Sequence, residues 1–119
     1  MESMSLDDVA AEQLAAARES PSGRAARTVH GGRRSALRQT VLAVLAGREL
    51  AEHGNPGEVT LQVLRGRIRV TAGEQSWDGG MGDYVIIPPE RHALTAVEDS
   101  VVLLSVVATP SEMTGGTRE

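Results

Sequence analysis

Cysteine, lysine and phenylalanine are absent from this chain of 119 residues. The absence of cysteine excludes disulfides, zinc sites built on thiolates and cysteine nucleophiles. Trp77 and Tyr84 are the only aromatic residues, so the core has to be built from Val, Leu, Ile and Ala. The β-branched members of that set favour strands.

An excess of positive charge is also missing, since the formal net charge is −4 at pH 7. A nucleic-acid-binding protein should carry a basic face, so we expect no nucleic-acid partner. No secretory segment is recognisable, and no apolar run approaches the ~20 residues of a membrane span. We therefore expect a soluble, cytoplasmic protein that makes no membrane contact. The abundance of Arg, Ala, Gly and Val is typical of a GC-rich bacterial genome.

The segment "SLDDVAAEQLAAARES" predicts a helix over residues 5–18. Ser5 stands three residues before Asp8, a spacing that resembles a capping box. The apolar residues of the segment fall on one helical face, namely Leu6, Val9, Ala10, Leu14 and Ala17. This face should pack against the domain itself or against a second subunit.

From about residue 24 the pattern changes to seven or so short strands separated by turn signals. "EVTLQVLRG" and "RIRVTAG" look like a hairpin around Gly66, and "HALTAVED" and "SVVLLSVVA" look like a last pair. "GEQSWDGG", which contains Trp77, reads as a turn region between strands. One domain with a β-sandwich or barrel is the predicted architecture.

Two motifs resemble those of the small single-domain cupins, the RmlC-like jelly-roll family. In the first, Gly47 precedes "RELAE", the sequence His53-Gly-Asn55 follows, and Gly66 closes the motif at the family spacing. In the second, Gly82 precedes "DYVII" and Pro88, and His92 follows one residue earlier than in the family. The resemblance covers about residues 36–107.

This resemblance implies an all-β cupin jelly roll, as a barrel or sandwich, with one N-terminal α-helix. It divides the chain into an N-terminal helix and linker (1–22), a cupin domain (23–109) and a mobile tail (110–119). Cupins commonly dimerise, often by exchanging N-terminal strands, so we expect a homodimer.

Cupins typically hold a divalent metal, such as Zn, Fe, Mn or Ni, with three histidines and a glutamate. Carried over to this chain, His53 matches the first ligand and His92 the last, while Asn55 replaces the second histidine. The glutamate position falls on Val59. Glu58 is one residue too early, and a shift of one residue turns a strand side chain to the opposite face.

The expected pocket is therefore more apolar than that of a metal-binding cupin. Val59 and Leu61 should point inward with Val63, and His53 and His92 should lie on facing strands beside them. Asn55 completes the pocket, and Arg91 either supplies a fixed positive charge to it or lies on the surface. His30 lies outside both motifs and has a structural or surface role, or reaches the barrel mouth as a third metal ligand.

The leading hypothesis is a cupin that binds a small organic ligand in the barrel, with or without a weakly held divalent metal. A second is a metal-dependent dioxygenase or isomerase that uses His53, His92 and His30. A third is a ligand-sensing regulatory cupin that acts through a partner. Whether the protein is an enzyme stays open, because the cupin fold supports many functions.

Overall fold

A computed structural model describes residues 1–53 and 57–107, with the backbone alone at residues 52 and 53. Within these ranges one helix is followed by nine strands. The elements are α1 (Leu6–Arg18), β1 (Arg24–His30), β2 (Leu37–Val44), β3 (Glu49–His53), β4 (Glu58–Arg65), β5 (Arg67–Ala72), β6 (Gln75–Gly80), β7 (Tyr84–Ile87), β8 (His92–Ala96) and β9 (Ser100–Val107).

The strands form two antiparallel sheets that pack face to face. One sheet has five strands in the order β1-β2-β9-β4-β7, and the other has four in the order β3-β8-β5-β6. All strand pairs are antiparallel. The fold is thus the expected all-β jelly roll with one N-terminal helix.

The core between the sheets follows from alternation along the strands. In β4 the side chains of Val59, Leu61 and Val63 are buried, whereas Glu58 is exposed. Strand β5 alternates in the same way, with Ile68 among its buried residues. Because successive strand residues point to opposite faces, this pattern fills the barrel with one face of each of these two strands and leaves the other face mostly polar. The inward orientation predicted for β4 is confirmed.

Helix α1 packs on the outer face of the five-stranded sheet of its own domain. The Oγ of Ser5 accepts a hydrogen bond from the amide of Asp8 at 3.2 Å and caps the helix. The buried helix residues contact Val41, Ala43 and Val101 in a second core cluster; they are Val9, Ala10, Leu14 and Ala17. Within the described ranges, no helix is long and apolar enough to cross a membrane.

Both predicted hairpins are wrong, because each proposed pair is divided between the two sheets. β4 lies in the five-stranded sheet and β5 in the four-stranded one, and β9 and β8 are separated in the same way. A short glycine turn signals a change of direction but not whether the next strand pairs with the last one. The chain passes from one sheet to the other between β4 and β5 and again between β8 and β9. Ser100 connects these two crossings, because its hydroxyl accepts from the Arg67 amide at 3.0 Å and donates to the Glu98 carbonyl at 2.7 Å.

The turn predicted around Trp77 is also wrong, because this residue belongs to β6. Trp77 pairs with Val70 and packs against the barrel core. On the outer face of the same two strands, the guanidinium of Arg69 donates two hydrogen bonds to Asp78, at 2.7 and 3.0 Å. These bonds lower the pKa of Asp78 and raise that of Arg69. Two glycines at the end of β6 concealed the strand in the sequence.

Candidate ligand cavity in the barrel

A cavity lies between the two sheets and is almost entirely aliphatic. Both sheets contribute to its walls, so it occupies the centre of the sandwich. Eight of its nine lining residues are aliphatic and the ninth is a histidine: Leu42, Leu50, Leu61, Val70, Ile87, Leu94, Val102, Leu104 and His92.

His92 is the polar member of this lining. It begins β8, and only 5% of its surface is exposed. Its Nδ1 lies 3.3 Å from the carbonyl oxygen of Glu90 in the preceding turn. Because a carbonyl can only accept, Nδ1 carries the proton in this bond. The turn thereby orients the imidazole.

His53, the other motif histidine, is placed by its backbone next to His92. The two residues are Cα partners across β3 and β8, and the register of β3 shifts between Leu50 and His53. The histidines therefore lie on adjacent strands of one sheet, not on the facing strands we expected. Asn55 lies outside the described residues.

The position where cupins carry a glutamate is part of the apolar core. Val59 is 2% exposed and packs among the buried residues between the sheets. Glu58 is exposed, on the opposite side of the strand from the core. Among the described side chains, no group of three His, Asp or Glu residues could hold a metal ion. His92 is the one matching ligand whose side chain is described.

Two other candidate residues lie away from the cavity lining. His30 ends β1, pairs with Gln39 across a register shift, and borders surface grooves that share no residue with the cavity. Arg91 is exposed in the loop before β8. Leu61 lines the cavity as expected, whereas Val59 packs in the surrounding core.

Several lining residues were not identified from the sequence. Leu50 lies on β3, which was not recognised as a strand, and Val70 and Leu94 lie on the inner faces of β5 and β8. Alternation in "RIRVTA" and "HALTA" marks Val70 and Leu94 as inward-facing residues. It does not show which inward residues border a space and which fill it.

The cavity is small. The cavity has a volume of about 330 Å³ if the space at its open side is included. The centre of a water-sized sphere can reach only about 20 Å³ of this volume. That inner space is room for about one water molecule, since a water needs roughly 10–15 Å³ by this measure. A larger ligand has to occupy the open side or displace side chains.

No protein-family model matches the chain, and no curated protein matches it. Solved structures do. A conserved protein of unknown function from Streptococcus pyogenes superposes with a TM-score of 0.68 at 28% identity, covering 76% of this chain and 78% of its own. A Cupin 2 conserved barrel domain protein from Salinispora arenicola superposes with a TM-score of 0.66 at 18% identity, covering 100% of this chain and 98% of its own.

A cupin superfamily protein from Desulfitobacterium hafniense is similar to the same degree, with a TM-score of 0.66 at 16% identity over 72% of this chain and 78% of that one. The chain therefore has the RmlC-like cupin jelly-roll fold.

Proposed function

We propose that this protein binds a small, largely apolar molecule that carries one hydrogen-bond donor, in the cavity between the two sheets. The observation that supports this proposal is a single oriented imidazole, that of His92, in an otherwise aliphatic lining. Binding sites for small molecules commonly combine apolar walls with a few fixed polar groups.

The walls and the imidazole have different roles in this proposal. Burial of apolar ligand surface contributes roughly 25 cal/mol per Å², and it does so without regard to orientation. A donor that reaches Nε2 of His92 fixes the orientation of the ligand. An apolar analogue without that donor forms no such hydrogen bond and should bind less tightly.

Ligand entry is expected at the end of the barrel where His92 lies. Ile87, at the end of β7, and His92, at the start of β8, both line the cavity at this end. At the opposite end, the hydrogen bonds of Ser100 connect the two chain segments that pass from one sheet to the other. A ligand of single-ring size would occupy the open side of the cavity or displace lining side chains, because the inner space holds about one water molecule.

Phenol and toluene provide a matched pair of probes, since both have one ring and only phenol has a hydroxyl donor. We expect the wild-type protein to bind phenol several-fold more tightly than toluene, relative to their partitioning into hydrocarbon. In a His92→Leu variant this preference should vanish while toluene binding is kept or improved. Calorimetric titration of both proteins with both probes measures the four affinities. An unchanged phenol preference in the variant contradicts the role of His92.

A weakly held divalent metal and a metal-dependent dioxygenase or isomerase remain alternatives to simple ligand binding. Metal analysis of protein purified without chelator or a nickel column separates them. A stoichiometric metal that is lost in His53→Ala and His92→Ala would favour a metal enzyme.

We also propose that the protein forms a homodimer. Support comes from β7, the edge strand of the five-stranded sheet, where Tyr84 and Ile86 are 58% and 70% exposed. Exposed apolar residues on a sheet edge favour pairing with another copy. Light scattering should give the mass of two chains, and Ile86→Lys should reduce it to one. A monomeric wild-type mass contradicts the proposal.

A further inference from the structure

Positive charge is concentrated in one part of this acidic chain. Residues 20–48 contain six arginines and no aspartate or glutamate, although the whole chain has a formal net charge of −4. This segment covers β1, β2 and their connecting loop. Strands β1 and β2 pair with each other, so the charges lie on one hairpin at the edge of the five-stranded sheet.

The arginines at the end of this hairpin differ from the others in their bonding. Arg33, Arg34 and Arg38 form no ion pair or side-chain hydrogen bond with any described residue. Six other arginines are bonded, three to carboxylates and three to backbone carbonyls: Arg18, Arg27, Arg69, Arg24, Arg48 and Arg65. Among the described arginines, Arg67 is the one other without such a bond, so three of these four free guanidinium groups are clustered on the hairpin.

The local backbone places two of these groups in one turn and the third against the glycine just before it. Gly32 and Ser35 close a turn through a 3.1 Å hydrogen bond from the Ser35 amide to the Gly32 carbonyl, with Arg33 and Arg34 at its centre. The amides of the two central arginines donate to no carbonyl of the described chain. Arg38 packs its stem against Gly31, where an added Cβ would lie 3.0 Å from its Cγ.

Next to the turn is a groove with space for a small ligand. About 330 Å³ is open between the N-terminal residue Glu2 and the end of β1, with His30, Gly31, Gly32 and Ser35 along it. A second groove of about 250 Å³ continues past His30 under the N-terminal segment. The carboxylate of Glu2 borders both grooves and opposes the positive charge.

We propose that this hairpin binds a small molecule that bears phosphate groups, at a site separate from the barrel cavity. Guanidinium groups match phosphate oxygens in pairs, and consecutive free backbone amides form concave anion-binding sites. Arg33 and Arg34 supply both kinds of donor at the turn. His30 lines the groove into which the rest of the ligand extends, and Arg38 lies against Gly31 beside it.

Inorganic pyrophosphate is a suitable probe, titrated into the full chain at constant ionic strength and followed by amide NMR. We expect saturable shifts confined to residues 28–38. Arg33→Gln/Arg34→Gln should weaken binding by about tenfold or more. Glu2→Gln should tighten it a few-fold, because an opposing charge is removed.

The control is Arg67→Gln, which makes the same charge change at the other end of the barrel, beside Ser100. It should leave the pyrophosphate affinity within twofold of that of the wild type. All four positions lie in exposed regions, and an unchanged dispersed amide spectrum confirms that each variant is folded. Two results would overturn the proposal: no saturable shifts in residues 28–38, or equal weakening by Arg67→Gln and the double variant.

Discussion

The Cα atoms of His53 and His92 are direct partners across β3 and β8 of the four-stranded sheet. The two residues come from separate sequence motifs, and the fold brings them side by side at one end of the cavity. The first and last ligand positions of the cupin motif are thus paired in the backbone. The glutamate position, however, is occupied by the buried side chain of Val59. Our predictions concern this combination of paired motif positions with an apolar pocket.

Val59→Glu should introduce a carboxylate into the core at the position where cupins have one. Without metal the variant should lose about 2–5 kcal/mol of stability, because an unpaired carboxyl is buried. Excess Zn²⁺ should restore part of this loss if the two histidines converge with it, since a ligand of the native state stabilises that state. Urea unfolding with and without Zn²⁺ measures both effects.

The matched control is Thr60→Glu, one residue along the same strand and on its other face. This variant should lose little stability, and Zn²⁺ should not increase its stability. If Zn²⁺ stabilises both variants equally, the effect does not come from the cupin motif.

Gly66→Ala should destabilise the fold more than Gly47→Ala. Both glycines have φ near +82°, so both substitutions bear the strain of the left-handed region, about 1–2 kcal/mol. A Cβ at Gly66 would also overlap the Asp99 carbonyl and the Ser100 hydroxyl, whereas a Cβ at Gly47 would meet nothing within 4 Å. Chemical denaturation of the two variants gives the difference directly. Equal losses of stability in the two variants would mean that the backbone around Ser100 shifts easily to make room for the added Cβ.

Ile68→Ala should cost about 2–5 kcal/mol, since Ile68 is fully buried between the sheets. Ile86→Ala removes the same atoms from a side chain that is 70% exposed and should cost less than about 0.5 kcal/mol in the monomer. Thermal unfolding of both at low protein concentration provides the comparison. If the homodimer proposal is correct, the cost of the Ile86 substitution should increase with protein concentration.

The Arg69–Asp78 pair should contribute a small, pH-dependent part of the stability. Its hydrogen bonds lower the pKa of Asp78, so the contribution is present above the unfolded-state pKa, near ~3.9, and is lost as the pH falls through the folded-state value. Asp78→Asn should therefore be slightly less stable than the wild type at pH 7 and equally stable at pH 2. Unfolding curves at several pH values, with the exposed carboxylate variant Glu74→Gln as control, test this. Equal stability of Asp78→Asn and wild type at every pH would show that the pair contributes nothing measurable.

The sequence predicted the features of this fold that depend on local periodicity. The helix face and the inward residues of β4 followed from spacing, whereas the proximity of the two motif histidines followed from the resemblance to cupins. The pairing of strands did not, because a glycine turn such as that at Gly66 is compatible with a hairpin or with a crossing between sheets. Trp77 was assigned to a turn because two glycines follow it, although packing against the core holds it in a strand.

The residues of the candidate site likewise fall into those that the sequence predicted and those that it did not. Leu61 and His92 were identified as pocket residues because motif and alternation agreed on them. Leu50, Val70 and Leu94 border the cavity because of how the two sheets are placed against each other, which is a long-range property. The unpaired arginines of the β1–β2 hairpin could not be distinguished from the bonded ones before their partners were known.

The most direct test of the ligand-binding proposal is a crystal structure of the protein soaked with phenol. We predict density for one phenol ring between the two sheets, in contact with Leu61 and Leu94, and its hydroxyl within hydrogen-bonding distance of His92 Nε2. Phenol bound only outside the barrel, or a cavity without phenol under saturating conditions, would contradict the proposal.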